Sequence, residues 1–132
     1  MDTATREFVR DRAGGRCEYC GLPQDAAPFF TFHVEHIRAR QHHGSDDLSN
    51  LALACPDCNA KKGPNVATIS YETGQLIELY NPRIHHWPDH FQIVGAEIIG
   101  TTDIGRATVR LLEMNEEERM IVRENLIVEG WF

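Results

Sequence analysis

Two pairs of cysteines have the spacing of metal-binding knuckles. Cys17 and Cys20 are separated by two residues, and Cys55 and Cys58 repeat that spacing later in the chain. Four thiolates on two separate loops suit a closed tetrahedral zinc site. A redox pair works alone and needs no second copy, and chance burial of four small apolar side chains does not explain the repeated spacing. The sequence therefore predicts one structural zinc ion held by these four cysteines.

A second group of polar residues lies between the two pairs and just beyond them. Glu35 and His36 are adjacent, Asn50 precedes the second cysteine pair, and Asn59 directly follows it. Taken singly, such a histidine is more often a hydrogen-bonded structural residue, and such asparagines more often cap loops or helices. The informative feature is therefore the order in which these residues occur.

Short secondary-structure elements are predicted to position both groups. A helix at Thr5–Ala13 ends at a pair of glycines, and the alternation of residues 29–35 favours a strand with Glu35 on its polar face. The run NLALAC predicts a second strand, and PDCNAKKG predicts a helix that opens at a proline and closes at a glycine. The predicted order is strand, loop, strand, helix.

The second half of the chain is predicted to form a hairpin, a strand and two helices. The hairpin turns at Thr73–Gly74, and residues 91–100 favour a single strand. An irregular link between them contains Trp87 and Phe91, which are better suited to anchoring this half by packing than to stacking on bases. Asn115 is the predicted N-cap of the last helix.

Length and cysteine usage bound the class of protein. A chain of 132 residues fits one domain with a modest core, and such a core often needs further stabilisation by a cross-link such as a bound metal ion. No apolar run approaches bilayer length, and the N-terminal segment carries charges where a signal peptide would have its apolar region. These features predict a cytosolic protein without a membrane partner. Cysteines stay reduced in that compartment, which favours metal binding over disulfides.

The net charge of −7 is unevenly distributed. Residues 1–66 contain 8 Lys and Arg against 9 Asp and Glu, a net charge of −1, whereas the remaining residues contain 5 against 11 and carry −6. Most of the surplus acid therefore lies outside the half that contains the motifs. This distribution leaves nucleic-acid binding open.

From Arg16 to Gly63 the order of motifs resembles the HNH endonuclease family, in its zinc-knuckle subgroup with a ββα-metal site. The family pattern runs Cys-x2-Cys, Asp/Glu-His-Ile, a glycine-containing loop, Asn-Leu, and Cys-x2-Cys-Asn with a lysine nearby, and each element has a counterpart here. The resemblance implies an α+β fold with a zinc-stapled ββα-metal core in residues 1–66. Residues 67–132 are then expected to be a C-terminal hairpin and helical extension that packs on this core without forming an independent domain.

The resemblance also implies roles for individual residues. His36 corresponds to the general base that activates water, and Asn50 to a residue that holds the loop and orients the base, with its amide accepting from the second ring nitrogen. Glu35 and Asn59 correspond to ligands of a catalytic divalent cation, for which their oxygen atoms favour Mg²⁺ or Mn²⁺. This sequence has Glu35 where aspartate is commoner, and Asn59 where the family name places its last histidine.

The expected activity is hydrolysis of DNA phosphodiester bonds. DNA would be bound mainly through its phosphates, for which the candidate contacts are Arg38, Arg40, Lys61 and Lys62. An enzyme of this size that cuts both strands would need a second active site, which implies a homodimer. The alternative is a non-catalytic zinc-knuckle module that binds nucleic acid or protein. A purely structural zinc domain would leave the histidine and the two asparagines unexplained.

Overall fold

The chain forms five α-helices and six short β-strands. The computed structural model describes residues 1–132. In chain order the elements are α1 Thr3–Arg12, β1 His33–His36, β2 Leu51–Ala54, α2 Pro56–Lys62, β3 Ala67–Ile69, β4 Leu76–Glu78, α3 Trp87–His90, β5 Phe91–Val94, β6 Glu97–Gly100, α4 Asp103–Leu111 and α5 Glu117–Val128. The strands pair as three separate antiparallel hairpins, β1-β2, β3-β4 and β5-β6. None of the helices combines the length and the apolar character needed to cross a bilayer.

The unit β1-β2-α2 confirms the predicted order of strand, loop, strand and helix. The register pairs His33 with Ala54 and His36 with Leu51, and all four residues of β2 are buried. Helix α2 follows at once because Pro56 occupies its first turn, where a missing N–H costs nothing. It ends at Gly63, which has a φ of 51°. Together these elements form the mixed α+β core expected from the sequence.

The first strand is shorter than predicted, and the face that was predicted to be polar is partly buried. Strand β1 begins at His33, and the preceding Phe29 and Phe30 are exposed. Glu35 is buried rather than on a polar outer face, with 7% of its surface exposed. The alternation rule failed here because Tyr19 and Lys62 lie over this face and give the carboxylate polar partners inside the protein.

Two predictions for the second half of the chain were wrong. Residues 91–100 form the hairpin β5-β6, which turns at Gly95 with a φ of 62°. The N-cap of α5 is Glu116 rather than Asn115. The Asn115 side chain instead donates to Ile98 O and accepts from Ile98 N, both at 2.8 Å. The hairpin with its turn at Thr73–Gly74 is confirmed.

Trp87 anchors the second half of the chain against the N-terminal half. Its indole N–H donates to Tyr19 O at 2.9 Å, and its ring stacks on Phe91 with centroids 4.9 Å apart. Arg83 forms an ion pair with Glu18 in the same region. One cluster of buried apolar side chains therefore continues from the N-terminal half into the C-terminal hairpin and helices.

Candidate functional site

The four predicted zinc ligands lie together at the junction of the first knuckle and α2. Their Sγ atoms are all within 4.8 Å of one another, and all four residues are buried. A tetrahedral zinc with Zn–S bonds of about 2.3 Å requires sulfurs about 3.8 Å apart. The Sγ atoms of Cys20 and Cys55 are 3.7 Å apart. The spacing, the ligand type and the burial all fit a closed structural zinc site.

The guanidinium of Arg119 borders this cluster, which sequence reasoning missed. Its Nη2 lies 3.0 Å from Cys58 Sγ and 4.0 Å from Cys55 Sγ, and the residue is 9% exposed. Burial opposes its positive charge, but Cys58 and Cys20 outweigh that effect and raise the pKa of Arg119 above its ordinary value. The only signal in the sequence was a basic residue inside a helix, which does not reveal its partner.

His36 lies at the end of β1 against the loop that joins the two strands. Its Nε2 is 2.6 Å from Asp46 Oδ1, and its side chain is 19% exposed. Arg40 Nη2 contacts the same carboxylate oxygen at 3.0 Å. The contacts with His36 and then with Arg40 hold the pKa of Asp46 below its ordinary value, so this carboxyl is ionised at neutral pH. Asp46 was not singled out from the sequence.

Asn50 holds the loop but does not contact the His36 ring. Its Nδ2 donates to Arg38 O at 3.0 Å and to Ser45 O at 2.8 Å, while its Oδ1 accepts from Arg38 N at 2.9 Å. The expected hydrogen bond from the ring to the Asn50 amide is therefore absent, because backbone groups take both ends of that amide. The ring is instead bound by Asp46.

Gly44 lets the loop close on itself. A Cβ atom at this position would lie 1.6 Å from Arg38 O, so any larger residue would push the two sides of the loop apart. The neighbouring His43 adopts a left-handed conformation with a φ of 66°. The loop that carries Asp46 therefore depends on the close backbone approach at Gly44 and on the side-chain hydrogen bonds of Asn50.

The two expected ligands of a catalytic cation differ in their surroundings. Glu35 Oε1 accepts from the Tyr19 hydroxyl, and Oε2 forms an ion pair with Lys62 Nζ at 3.4 Å. Burial raises the pKa of Glu35 above its ordinary value. Asn59, on α2, is partly exposed and its side chain forms no hydrogen bond within the chain. A carboxylate and an amide oxygen suit Mg²⁺ or Mn²⁺, but a cation at Glu35 would lie close to the Lys62 ammonium.

The four candidate phosphate contacts are not equally available. Arg38 and Arg40 are exposed on the loop beside His36. Lys61 is held by Glu113 Oε2 at 2.6 Å. Lys62 is 1% exposed and donates to Ile37 O at 2.9 Å, so no backbone phosphate can reach it. The two arginines are the better candidates of this set, although Arg40, like Lys61, already contacts a carboxylate.

The hairpin β1-β2 and the helix α2 form a ββα unit. Four clustered cysteines at the start of this helix and on the preceding knuckle give it a metal-binding core. The sequence model of the HNH endonuclease family matches residues 17–65, which include all of these features. The chain is also 36% identical over 61 residues to the "SPbeta prophage-derived putative HNH endonuclease YoqL" of Bacillus subtilis (strain 168). That alignment covers 40% of this chain and 25% of the relative. No solved structure matches the chain.

Residues 17–65 are thus similar to the HNH endonuclease domain. The match contains both cysteine pairs, strand β1 with Glu35 and His36, strand β2, and helix α2 with Asn59. The chain spans only about a quarter of the length of its prophage relative. The similarity therefore concerns the core alone, and the rest of this chain lies outside the match.

Proposed function

We propose that the protein is a metal-dependent endonuclease that hydrolyses DNA phosphodiester bonds, with His36 as the general base. The observation that supports this most is the contact of His36 Nε2 with the Asp46 carboxylate, on a loop at the protein surface. A carboxylate at Nε2 favours the tautomer with its proton on that nitrogen. Nδ1 then keeps its lone pair and is able to take a proton from water.

The proposed reaction is in-line attack of that water on phosphorus. Nδ1 of His36 removes one proton as the water oxygen bonds to phosphorus, and the bond to the 3′ oxygen breaks. The Asp46 carboxylate stabilises the imidazolium that forms. The products are a 5′-phosphate and, once the leaving oxygen gains a proton, a 3′-hydroxyl. Asn50 contributes indirectly by fixing the loop on which Asp46 lies.

Glu35 and Asn59 are the residues that would hold Mg²⁺ or Mn²⁺ in this proposal. When bound, such an ion supplies Lewis-acid stabilisation of charge on the phosphate and the leaving oxygen. Binding at Glu35 would compete with the ion pair that Lys62 makes at 3.4 Å. We therefore expect weak cation affinity and activity that depends on millimolar rather than trace metal.

The wider setting is part of the same proposal. Arg38 and Arg40 would bind DNA phosphates, giving affinity that falls with salt and depends little on sequence. Residues 1–66 would act as the nuclease core and residues 67–132 as its extension. A cytosolic location belongs to this proposal, and cutting of both strands would require a homodimer.

Nicking of supercoiled plasmid tests this function. Zinc-loaded protein should convert supercoiled to nicked DNA with Mg²⁺ or Mn²⁺, and chelation of free divalent cations should stop the conversion. His36→Ala should lose this activity. His42→Ala is its matched control, because His42 is exposed on the loop beside His36 and its side chain forms no hydrogen bond. If the wild type binds DNA and holds zinc but cuts with neither cation, the non-catalytic binding module becomes the better assignment.

A further inference from the structure

A buried arginine from the C-terminal helix reaches the cysteine cluster. Arg119 lies on α5, outside the family match and 61 residues away from Cys58 in the chain. Its Nη2 donates to Cys58 Sγ at 3.0 Å, and the residue is 9% exposed. A side chain so enclosed is not available to bind DNA, and the proposed reaction does not use it.

The charge of a loaded site explains why a cation would be placed there. Four thiolates and one Zn²⁺ carry a net charge of −2, and all four cysteines are buried. A buried charge without a partner costs several kcal/mol. Arg119 and Arg123, one turn apart on α5, are both buried on the side of the helix that faces the cluster. Asp57 also lies near Arg119, with its Oδ2 3.9 Å from Nε, but its side chain is 62% exposed.

The two arginines make different contacts, although their burial is similar. Arg123 donates to Ala96 O at 2.6 Å and to Met114 O at 2.8 Å, so its hydrogen bonds are with backbone carbonyls alone. Arg119 donates through Nη1 to Leu112 O at 2.6 Å and keeps Nη2 for the sulfur. Only Arg119 therefore connects the turn after α4 directly to a cysteine ligand.

We propose that Arg119 belongs to the zinc site, where its N–H···S bond to the Cys58 thiolate and its positive charge stabilise the bound metal. The consequence is reciprocal: zinc holds α5 against the core, and α5 strengthens the hold on zinc. Hydrogen bonds to metal ligands orient them and tune the metal, and their loss typically weakens metal affinity about 10- to 100-fold. The HNH core would then depend on a residue outside it for its full zinc affinity.

Zinc competition on the full-length protein tests this proposal. Zinc-loaded wild type, Arg119→Met and Arg123→Met are titrated with a chromophoric chelator, and the equilibrium transfer of zinc is measured. Both variants lose a buried guanidinium and its carbonyl contacts, but only Arg119→Met loses a bond to sulfur. Zinc affinity should fall about 10- to 100-fold in Arg119→Met and less than threefold in Arg123→Met. Equal affinities for the two variants, whether weakened or unchanged, would overturn the proposal.

The absorption spectrum of the Co²⁺-substituted protein separates loss of the hydrogen bond from loss of packing, because packing alone does not shift its charge-transfer band. An N–H···S bond lowers the energy of the sulfur lone pair, so its removal should shift the thiolate-to-cobalt charge-transfer band to longer wavelength. The shift is expected in Arg119→Met and not in Arg123→Met, and an unshifted band in both would contradict the proposed bond. If either methionine variant fails to fold, Arg119→Gln and Arg123→Gln carry the same comparison, since each loses the charge and the forked donor but keeps a polar side chain.

Discussion

The cysteine cluster and the histidine loop lie on neighbouring elements but are built in opposite ways. The cluster has four buried ligands on a knuckle and at the start of a helix, enclosed further by α5. The loop keeps Asp46 largely exposed and is held together by one asparagine and one glycine. A metal that stabilises a fold works best when water is excluded, whereas a base must meet DNA and water. We therefore expect stability and activity to be separable between the two regions.

The largest effect should come from breaking the cluster. Cys58→Ser removes a zinc ligand and the partner of Arg119, and structural zinc in small domains contributes on the order of 10 kcal/mol of binding free energy. The variant should lose zinc and cooperative unfolding together, with activity lost only as a consequence. Elemental analysis and thermal unfolding measure both. A metal-free variant that remains fully folded would contradict the structural role of the metal.

Glu35→Ala and Asn59→Ala should differ in stability although both remove a proposed cation ligand. Loss of Glu35 leaves the buried Lys62 ammonium without its ion pair, which should cost about 3 kcal/mol of unfolding free energy. Asn59 forms no side-chain hydrogen bond within the chain, so its loss should be nearly neutral for folding. Denaturant unfolding provides the comparison. Excess Mg²⁺ or Mn²⁺ should partly restore nicking by Asn59→Ala, and failure at any concentration would count against Asn59 as a ligand.

Gly44→Ala tests the close approach within the loop. The added Cβ would lie 1.6 Å from Arg38 O, so the loop must open, at a cost of about 1–3 kcal/mol. Because the movement carries Asp46 away from His36, nicking should fall by more than the stability loss explains. Ser45→Ala is the control, since the Ser45 hydroxyl contacts only Asp47 N at 3.3 Å. Wild-type activity and stability in Gly44→Ala would show that the loop does not need this contact.

Asp46→Asn should give the smallest effect, confined to catalysis. The amide keeps the size of the side chain but no longer stabilises an imidazolium, so kcat should fall about tenfold with KM nearly unchanged, equivalent to about 1.4 kcal/mol. Arg40→Ala should show the opposite split, with a raised KM, because Arg40 is a proposed phosphate contact. Steady-state nicking rates over a range of DNA concentrations separate the two. Equal changes in both parameters for both variants would argue that Asp46 and Arg40 merely hold the loop.

The sequence predicted best where spacing alone carries the information. The cysteine pairs and the order of β1, β2 and α2 are local patterns, and the structure confirms them. The predictions failed where a distant residue decides the outcome. Glu35 is buried because Tyr19 and Lys62 cover it, and Arg119 reaches the cluster from the far end of the chain.

Prediction from the local sequence also failed for the side-chain partners of two asparagines. Asn115 looked like a helix cap, but its amide is taken by the backbone of Ile98 on β6. Asn50 looked like a partner of the His36 ring, but its amide joins Arg38 and Ser45. An asparagine side chain can satisfy itself with many backbone groups, and its choice depends on tertiary contacts that the sequence does not display.

The most direct test of the separation between the two regions is His36→Ala, with nicking rate, zinc content and thermal stability measured on the same sample. Positioned general-base catalysis contributes at least about a hundredfold, so the rate should fall by that factor or more. Zinc content and melting temperature should stay at the wild-type values, because His36 lies outside the cysteine cluster. Cleavage at the wild-type rate, or loss of zinc together with activity, would contradict the assignment of His36 as the base on an independent zinc scaffold.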